Sequence, residues 1–275
     1  MHVAALVAPF LLGELRPEWL LYTLGMYLVG MFGITAGYHR YFSHRAYKTS
    51  RAFQFALALL GTLTCQKGVL WWASHHRVHH RFSDTDQDIH SPVRRSFWWA
   101  HVGWIISRKH DETLWEKIRD FAKFPEIVWL NKYFLVVNTI WAIGWYALAG
   151  MPGLVWGFFV ATVLLWHGTF TINSLTHLFG NRRYDTTDES RNHWLFAIIT
   201  LGEGWHNNHH YYQSTANQGF FWWEIDVSYY VLKTLSVFGI VWDLRKPPKW
   251  VLENREPGEV THPDAQDLVE IKQAA

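Results

Sequence analysis

The sequence predicts an all-α integral membrane protein with about four transmembrane helices. Three observations lead there: long apolar runs at 19–38, 133–149 and 154–179, a turn-length break between the last two, and 18 Trp, 12 Tyr and 18 Phe among 275 residues. Amphipathic aromatic rings collect where lipid meets water and around apolar ligands, so this composition suits a bilayer. The mean hydropathy of −0.07 does not oppose that reading, because the index scores Trp, Tyr and His as polar. The net charge of +2 is spread without a single basic run, which leaves no electrostatic footprint for nucleic acid.

Residues 3–13 are apolar but contain Pro9 and fall short of the roughly 20 residues that cross hydrocarbon, so a short or tilted first span is expected. No basic leader or small-residue cleavage site accompanies them, and the N-terminus is expected to be retained. Trp19 to Tyr38 forms the second span and runs into His39-Arg40-Tyr41-Phe42-Ser43-His44. On an ideal helix, residues five apart point in different directions, so His39 and His44 share a face only if the helix ends or unwinds between them. Residues 52–66 are expected to be re-entrant or interfacial, and Arg77 to Lys132 to face water. Tyr133 to Ala149 and Leu154 to Phe179 flank Gly150-Met151-Pro152-Gly153, a break short enough to force an antiparallel helix pair. The loops at 14–18 and 150–153 carry almost no positive charge, whereas Arg and Lys follow Tyr38 and Phe179. Positive-inside bias therefore places the histidine blocks on the cytoplasmic side of a multi-pass protein. Residues 229–241 are apolar but short, and the chain from Pro257 is polar and expected to be disordered.

The histidines carry the chemistry. His75-His76-Arg77-Val78-His79-His80 follows an apolar segment, and Glu203-Gly204-Trp205-His206-Asn207-Asn208-His209-His210 repeats its H-x-x-H-H spacing. On a helix, residues three and four apart share a face, so His76, His79 and His80 are expected to converge on one point, with His75 able to join only through His79. The lone Cys65 excludes disulfides and multi-cysteine metal sites, leaving His and carboxylate as ligands. Imidazole ligation suits iron or zinc, and one tetrahedral zinc takes only four ligands. His39, His44, His76, His79, His80, His177, His206, His209 and His210 are nine candidates, which implies two metals. Asn173 lies four residues before His177, where it could hold a water in an open ligand position.

The blocks His39 to His44, His76 to His80, Asn173-Ser174-Leu175-Thr176-His177 and Gly202 to His210 resemble the membrane fatty acyl desaturases of the stearoyl-CoA, delta-9 type, bacterial members included, over about residues 19–245. The resemblance implies a desaturase domain at 1–245 with a polar tail at 246–275. It implies four spans and a cytoplasmic helical cap holding two iron ions (Fe2+/Fe3+) through the nine histidines, with Asn173 acting through water and no catalytic residue beyond these. The activity would be oxygen-dependent desaturation of a long-chain acyl substrate, giving a cis double bond at delta-9. By the same resemblance, Arg108 and Lys109 would meet a phosphorylated head group, and Tyr27 and Met31 would line the closed end of the acyl tunnel. Lys67, Ser74 and His75 depart from the animal enzymes at head-group positions. Arg108 and Lys109 make acyl-CoA the first expectation, and these departures keep acyl carrier protein and phospholipid as alternatives. No haem, flavin or dinucleotide motif is present, so electrons must come from a separate ferredoxin or b-type cytochrome.

The other histidines carry plainer expectations. His90 would support the site, His75 would support it or face substrate, and His101, His110 and His193 would be surface or capping residues. His2 and His262 would lie in mobile ends. His167, ten residues from His177 and so about 15 Å away along a helix, is rejected as a ligand. Two alternatives compete with desaturation: a membrane diiron lipid hydroxylase, and a histidine-rich metal-binding or transport protein. The near absence of acidic residues in the spans argues against transport.

Overall fold

A computed structural model describes residues 1–253 and is mostly helical. The chain opens with α1 (His2–Leu11) and α2 (Pro17–Phe32), the latter started by a proline at its first position, where a missing N–H costs nothing. From Gly33 to Ser43 the same helix continues with π winding. Its i→i+5 bonding places residues five apart roughly one above the other, and it ends with His44 N–H on His39 O at 3.2 Å. This wider winding, at the exit of a helix that ends at Ser43, brings the His39 and His44 rings to 4.8 Å, as the sequence required.

Strand β1 (Lys48–Thr49) then leads to α3 (Arg51–Thr62), whose N-terminus Ser50 caps by accepting from Phe53 N–H. Helix α3 packs back along the π-wound segment through Gly33 and Gly61. A Cβ at Gly61 would sit 2.3 Å from the Tyr38 ring, and one at Gly33 would sit 2.6 Å from the Leu60 backbone. Just beyond α3, the Thr64 carbonyl accepts from Trp166 Nε1 at 2.8 Å, so the 52–66 segment turns back into the helical bundle before α4 (Val69–Phe82) returns.

The segment expected to face water is more mixed. A π turn at Trp99–Gly103 and α5 (Trp104–Ile106) bury Ala100, His101 and Trp104, while Trp98 and Ile106 are exposed. Helices α6 (Arg119–Ala122) and α7 (Pro125–Lys132) bury Phe121, Ile127 and Leu130. Next comes α8 (Phe134–Pro152), broken by non-helical backbone at Ala149 and Gly150, then a π-wound stretch Gly153–Val160 and α9 (Ala161–Ser174). Gly150 has φ 62°, a left-handed value that glycine adopts without a Cβ clash. The returning helix comes so close that a Cβ at Gly157 would meet the Trp145 ring at 2.5 Å. The expected helical hairpin is therefore present. Two helical runs, Pro17–Ser43 and Phe134–His177, are long and apolar enough to cross a membrane, the second being this hairpin.

Helices α10 (Trp194–Ile199), α11 (His206–Tyr211) and α12 (Val227–Val237) follow, then β2 (Val241–Trp242), antiparallel to β1 with Lys48 opposite Trp242. The packed chain continues past residue 245: α13 (Lys249–Leu252) buries Trp250 and Val251 beside Tyr212 and Tyr184. The polar stretch from Pro257 and His262 lie outside the described residues.

The close approach of α3 gives a matched test. Gly61→Val should lower the unfolding midpoint of the detergent-solubilised protein, by the equivalent of about 1–3 kcal/mol for overpacking. Gly25→Ala, where a Cβ meets nothing within 4 Å, should leave it unchanged or slightly raised. Equal midpoints for Gly61→Val and wild type would contradict the packing described.

Candidate metal centre

Nine histidines converge as two groups. His39, His44, His76, His80 and His209 form one, and His79, His177, His206 and His210 the other, with ligand-capable atoms in each group within 4.8 Å of one another. The second group is wholly buried, while three members of the first are partly exposed. All nine sequence candidates are thus brought together, but not as the helical geometry suggested. His76, His79 and His80 do not share a point: His76 and His80 enter the first group and His79 the second. The i and i+4 residues lie about 40° apart around a helix while i+3 falls on the other side, so α4 presents ligands to two neighbouring points. Helix α11 does the same in reverse, sending His206 and His210 to the second group and His209 to the first.

Chemistry of the donor set fits cations. In the first group Nε2 atoms meet in sequence: His39 to His209, His209 to His80, His80 to His76 and His76 to His44, each at 2.9 Å. A neutral imidazole carries one proton, and His39 and His209 also have their Nδ1 positions to satisfy. Burial, reinforced by the neighbouring imidazoles, pushes the His44, His76, His80, His206 and His209 pKa values well below the usual histidine range. The rings are therefore neutral, and lone pairs face one another at hydrogen-bond distance. His210 Nε2, in the second group, is buried and unpartnered, a costly state that a bound metal would relieve.

Carboxylates fix the ring orientations. His79 Nδ1 meets Asp88 at 3.0 Å, His177 Nδ1 meets Asp84 at 2.8 Å, and His210 and His39 pair through Nδ1 with Asp188 and Glu203. A hydrogen bond at Nδ1 leaves the Nε2 lone pair free for a metal and sets its direction. Burial raises the Asp84 carboxyl, but bonds from His177 and Ser91 outweigh it and hold it down at about 2. Asp88 and Asp188 are likewise held below the usual carboxylate range against their burial, by His79 and His210 respectively. These four acids were missed as functional residues in the sequence. The Asp84-x-x-x-Asp88 spacing just after the first block, and the acid opening Glu203-Gly204-Trp205-His206, were the available signals.

A frame of polar side chains holds the second block. Arg40 is wholly buried, donating to Glu203 at 3.0 and 3.1 Å and to Asp226 at 2.9 and 3.0 Å. Gly202 has φ 126° and passes so close to Asp226 that a Cβ would lie 2.3 Å from its carboxylate, so no other residue can precede Glu203 without displacing this network. The Asn192 side chain accepts from the Asn207 and Asn208 backbone N–H groups at the start of α11, and Asn207 Oδ1 accepts from Arg183 and Tyr184 N–H. The two asparagines inside the second histidine block therefore anchor the helix rather than face the metals.

Around the centre, Asn173 lines a slot of about 30 Å³ together with His79, His206 and, farther along, Met31. Tyr27 does not line it; its hydroxyl donates to Ile199 O at 2.9 Å, and both Tyr27 and Met31 abut Gly168. Arg108 and Lys109 lie on an exposed 3-10 turn, away from this slot, whose next residue, His110, accepts from Trp71 Nε1 through its carbonyl. His90 packs its ring 4.1 Å from His79. His75 stays outside both groups, its Nδ1 3.0 Å from Trp71 O.

Two plain expectations are corrected. His101 is buried, 2.9 Å from both Ser174 Oγ and His167 Nδ1, because its π turn packs along α9. His2 lies in α1, with Nε2 3.1 Å from His167 Nε2. His167 belongs to neither metal group.

The carboxylates make a test that separates support from surface charge. Asp84→Asn and Asp188→Asn should each weaken metal retention by roughly 10–100-fold, measured by chelator competition and elemental analysis. Asp86→Asn, whose side chain is exposed and distant from the rings, should match wild type. Equal retention in all three would remove the orienting role assigned here.

Comparison with known proteins agrees with this geometry. The fatty acid desaturase family model matches residues 17–236. An sn-1 stearoyl-lipid 9-desaturase of Synechocystis sp. is 39% identical over 231 residues, 83% of this chain and 72% of the relative. An sn-2 palmitoyl-lipid 9-desaturase of Nostoc sp. is 38% identical over 244 residues, 87% and 85% of the two chains. An acyl-CoA 5-desaturase of Anemone leveillei is 38% identical over 251 residues, 90% and 77%. With paired histidine groups at one end of an apolar slot and a match over most of its length, this chain belongs to the fatty acid desaturase family and is a fatty acyl desaturase.

Proposed function

We propose that the protein introduces a cis double bond at delta-9 of a saturated C16 or C18 acyl chain, with two irons held by the nine histidines. The observation that carries this reading is the division of nine histidines into two groups facing one slot. Charge supports the number of metals. Arg40 offsets Asp226, leaving Asp84, Asp88, Asp188 and Glu203, whose charge two divalent cations would balance. Iron bound there supplies the oxidising power to take two hydrogens from an unactivated chain with O2 as oxidant. Reduction of O2 to two waters needs two more electrons and two protons, for which a separate ferredoxin or b-type cytochrome is the implied source.

The chain's own residues supply binding and position. Met31, Ile34 and Ile172 give the slot an apolar end, and the Trp72 ring lies flat on His76 at 4.9 Å, closing one side. The slot also takes in Thr35, Thr169 and Thr200 beside the histidines. Asn173 stands beside His79 and His206, where its amide would hold a water next to the four-histidine group. Arg108 and Lys109 are exposed cations suited to a phosphate-bearing head group. The relatives named for lipid-linked and CoA-linked substrates support a glycerolipid or a CoA thioester as the carrier ahead of acyl carrier protein. Four spans with the histidine cap on the cytoplasmic side remain the topology that α1, the Pro17–Ser43 run and the broken Phe134–His177 run best suit.

Expression in a host lacking its own desaturase should yield cis-9 monoenes. Hydroxylated products in their place would move the protein to the oxygenase class. Asn173→Ala should retain most of the iron while losing activity, and loss of both metals would make Asn173 a direct structural ligand. Met31→Ala should shift the product ratio toward C18, within the 1–3 kcal/mol that about one methylene is worth in an apolar pocket. An unmoved ratio would remove Met31 from the end of the tunnel. Charge reversal at Arg108 and Lys109 should raise KM for acyl-CoA with kcat little changed, whereas unchanged kinetics would point to a glycerolipid.

A further inference from the structure

A cavity of about 330 Å³ lies away from the histidines, between the β1–β2 pair and the segment 120–124. Its buried lining includes Tyr41, Tyr47, Phe121 and Gln54. Gln54 is only 3% exposed; its Oε1 accepts from Tyr41 Oη at 2.9 Å, while its Nε2 has no partner. Burying that amide nitrogen without a partner is costly, and an acceptor bound in the cavity that Gln54 lines would relieve it.

Arg45, Lys48, Lys123 and Arg245 also line the cavity, against the carboxylates Asp120 and Asp243. Both carboxylates are already engaged. Arg77, which does not line the cavity, holds Asp120 with two bonds at 2.9 and 3.0 Å, leaving Arg45 at 3.8 Å, and Lys48 takes Asp243 at 2.8 Å. Among the described residues no carboxylate lies within 4 Å of Lys123 or Arg245, so the cavity carries an excess of positive charge. Arg45 and Asp243 both hold left-handed φ of 52°, a conformation that non-glycine residues adopt mainly where the surroundings impose it. Trp242 of the cavity wall is 43% exposed.

We propose that this cavity is a binding site for a phosphate-bearing anion, supplied by an anionic lipid headgroup or by a free phosphate compound. Cations at the rim neutralise the phosphate, the Gln54 amide donates to an oxygen, and the aromatic walls exclude water from the contact. The site is separate from the acyl slot: Tyr41 lines this cavity and His39 lines the slot, and no residue lines both. The proposal therefore stands independently of substrate chain length and carrier.

The test uses the full chain in nonionic detergent, titrated calorimetrically with inorganic pyrophosphate, and in phosphatidylcholine bicelles with or without phosphatidylglycerol, where the melting temperature is read. Saturable pyrophosphate binding would show that a free phosphate suffices. A melting temperature raised by phosphatidylglycerol without pyrophosphate binding would assign the site to a lipid headgroup. Either response should fall at least tenfold in Lys123→Glu/Arg245→Glu and about tenfold in Gln54→Leu, the loss expected for a hydrogen bond to a charged group. Arg119→Glu/Lys233→Glu, which reverses two exposed cations outside the cavity, should respond as wild type. Equal loss in both charge-reversed proteins, full binding in both Lys123→Glu/Arg245→Glu and Gln54→Leu, or no saturable response to either probe would overturn the proposal.

Discussion

Ring nitrogens of buried imidazoles packed against one another are the constraint on which the rest of this structure depends. Four Nε2 contacts at 2.9 Å link five rings in the first group, and His177 and His206 meet at 3.0 Å in the second. Proton sharing can satisfy some of these contacts but not all, since each neutral ring has a single N–H. Without cations the arrangement is a concentrated desolvation penalty. With them the same lone pairs become ligands, and metal binding becomes part of the free energy that holds the helices together.

That demand explains why so much buried polar structure surrounds the histidines. Each carboxylate that takes an Nδ1 proton also commits its ring to ligation through Nε2, and each is held in turn. Asp84 accepts from Ser91 Oγ and Glu189 N–H, Asp88 from Asp84 N–H and His90 N–H, and Asp188 from Ser190 N–H. Glu203 is tied to Arg40, and Arg40 to Asp226, which also caps α12 through Tyr229 N–H. An arginine with no solvent contact survives there because two carboxylates and the Ala216 carbonyl meet its guanidinium. Removing any one of these would leave a buried charge uncompensated. The polar frame is therefore tied to the metal centre and cannot be exchanged piecemeal for apolar packing.

Much of this was legible in the residues, and the parts that were not have physical causes. The repeated H-x-x-H-H spacing and the helical hairpin around Gly150 could be read because they rest on local periodicity and turn chemistry. The division of each block between two groups was hidden, because an ideal helix suggests that neighbours three and four apart converge, whereas the position of the opposing helix decides which of them meet. The π winding from Gly33 to Ser43 was hidden for the same reason: nothing local to His39-Arg40-Tyr41-Phe42-Ser43-His44 shows that α3 will pack against Gly33 and Gly37. The supporting acids Asp84, Asp88 and Asp188 lie in irregular segments whose spacing carries no period, so only the fold shows which of several acids turn inward. Asp86, between two of them, stays exposed.

The crossed sharing of ligands has a consequence for how the two groups behave. Helix α4 gives two histidines to the first group and one to the second, and α11 gives two to the second and one to the first. Neither group can therefore form on one helix. Each requires α4 and α11 to be docked in register, and the docking that completes one group also positions the ligands of the other. The first metal to bind would fix both helices and leave the second site largely assembled, so the ordering cost falls mainly on the first event. If each group holds one metal, a centre built this way would favour the empty and the fully loaded states over the half-loaded one, with the adjacent pairs His79-His80 and His209-His210 linking the two groups.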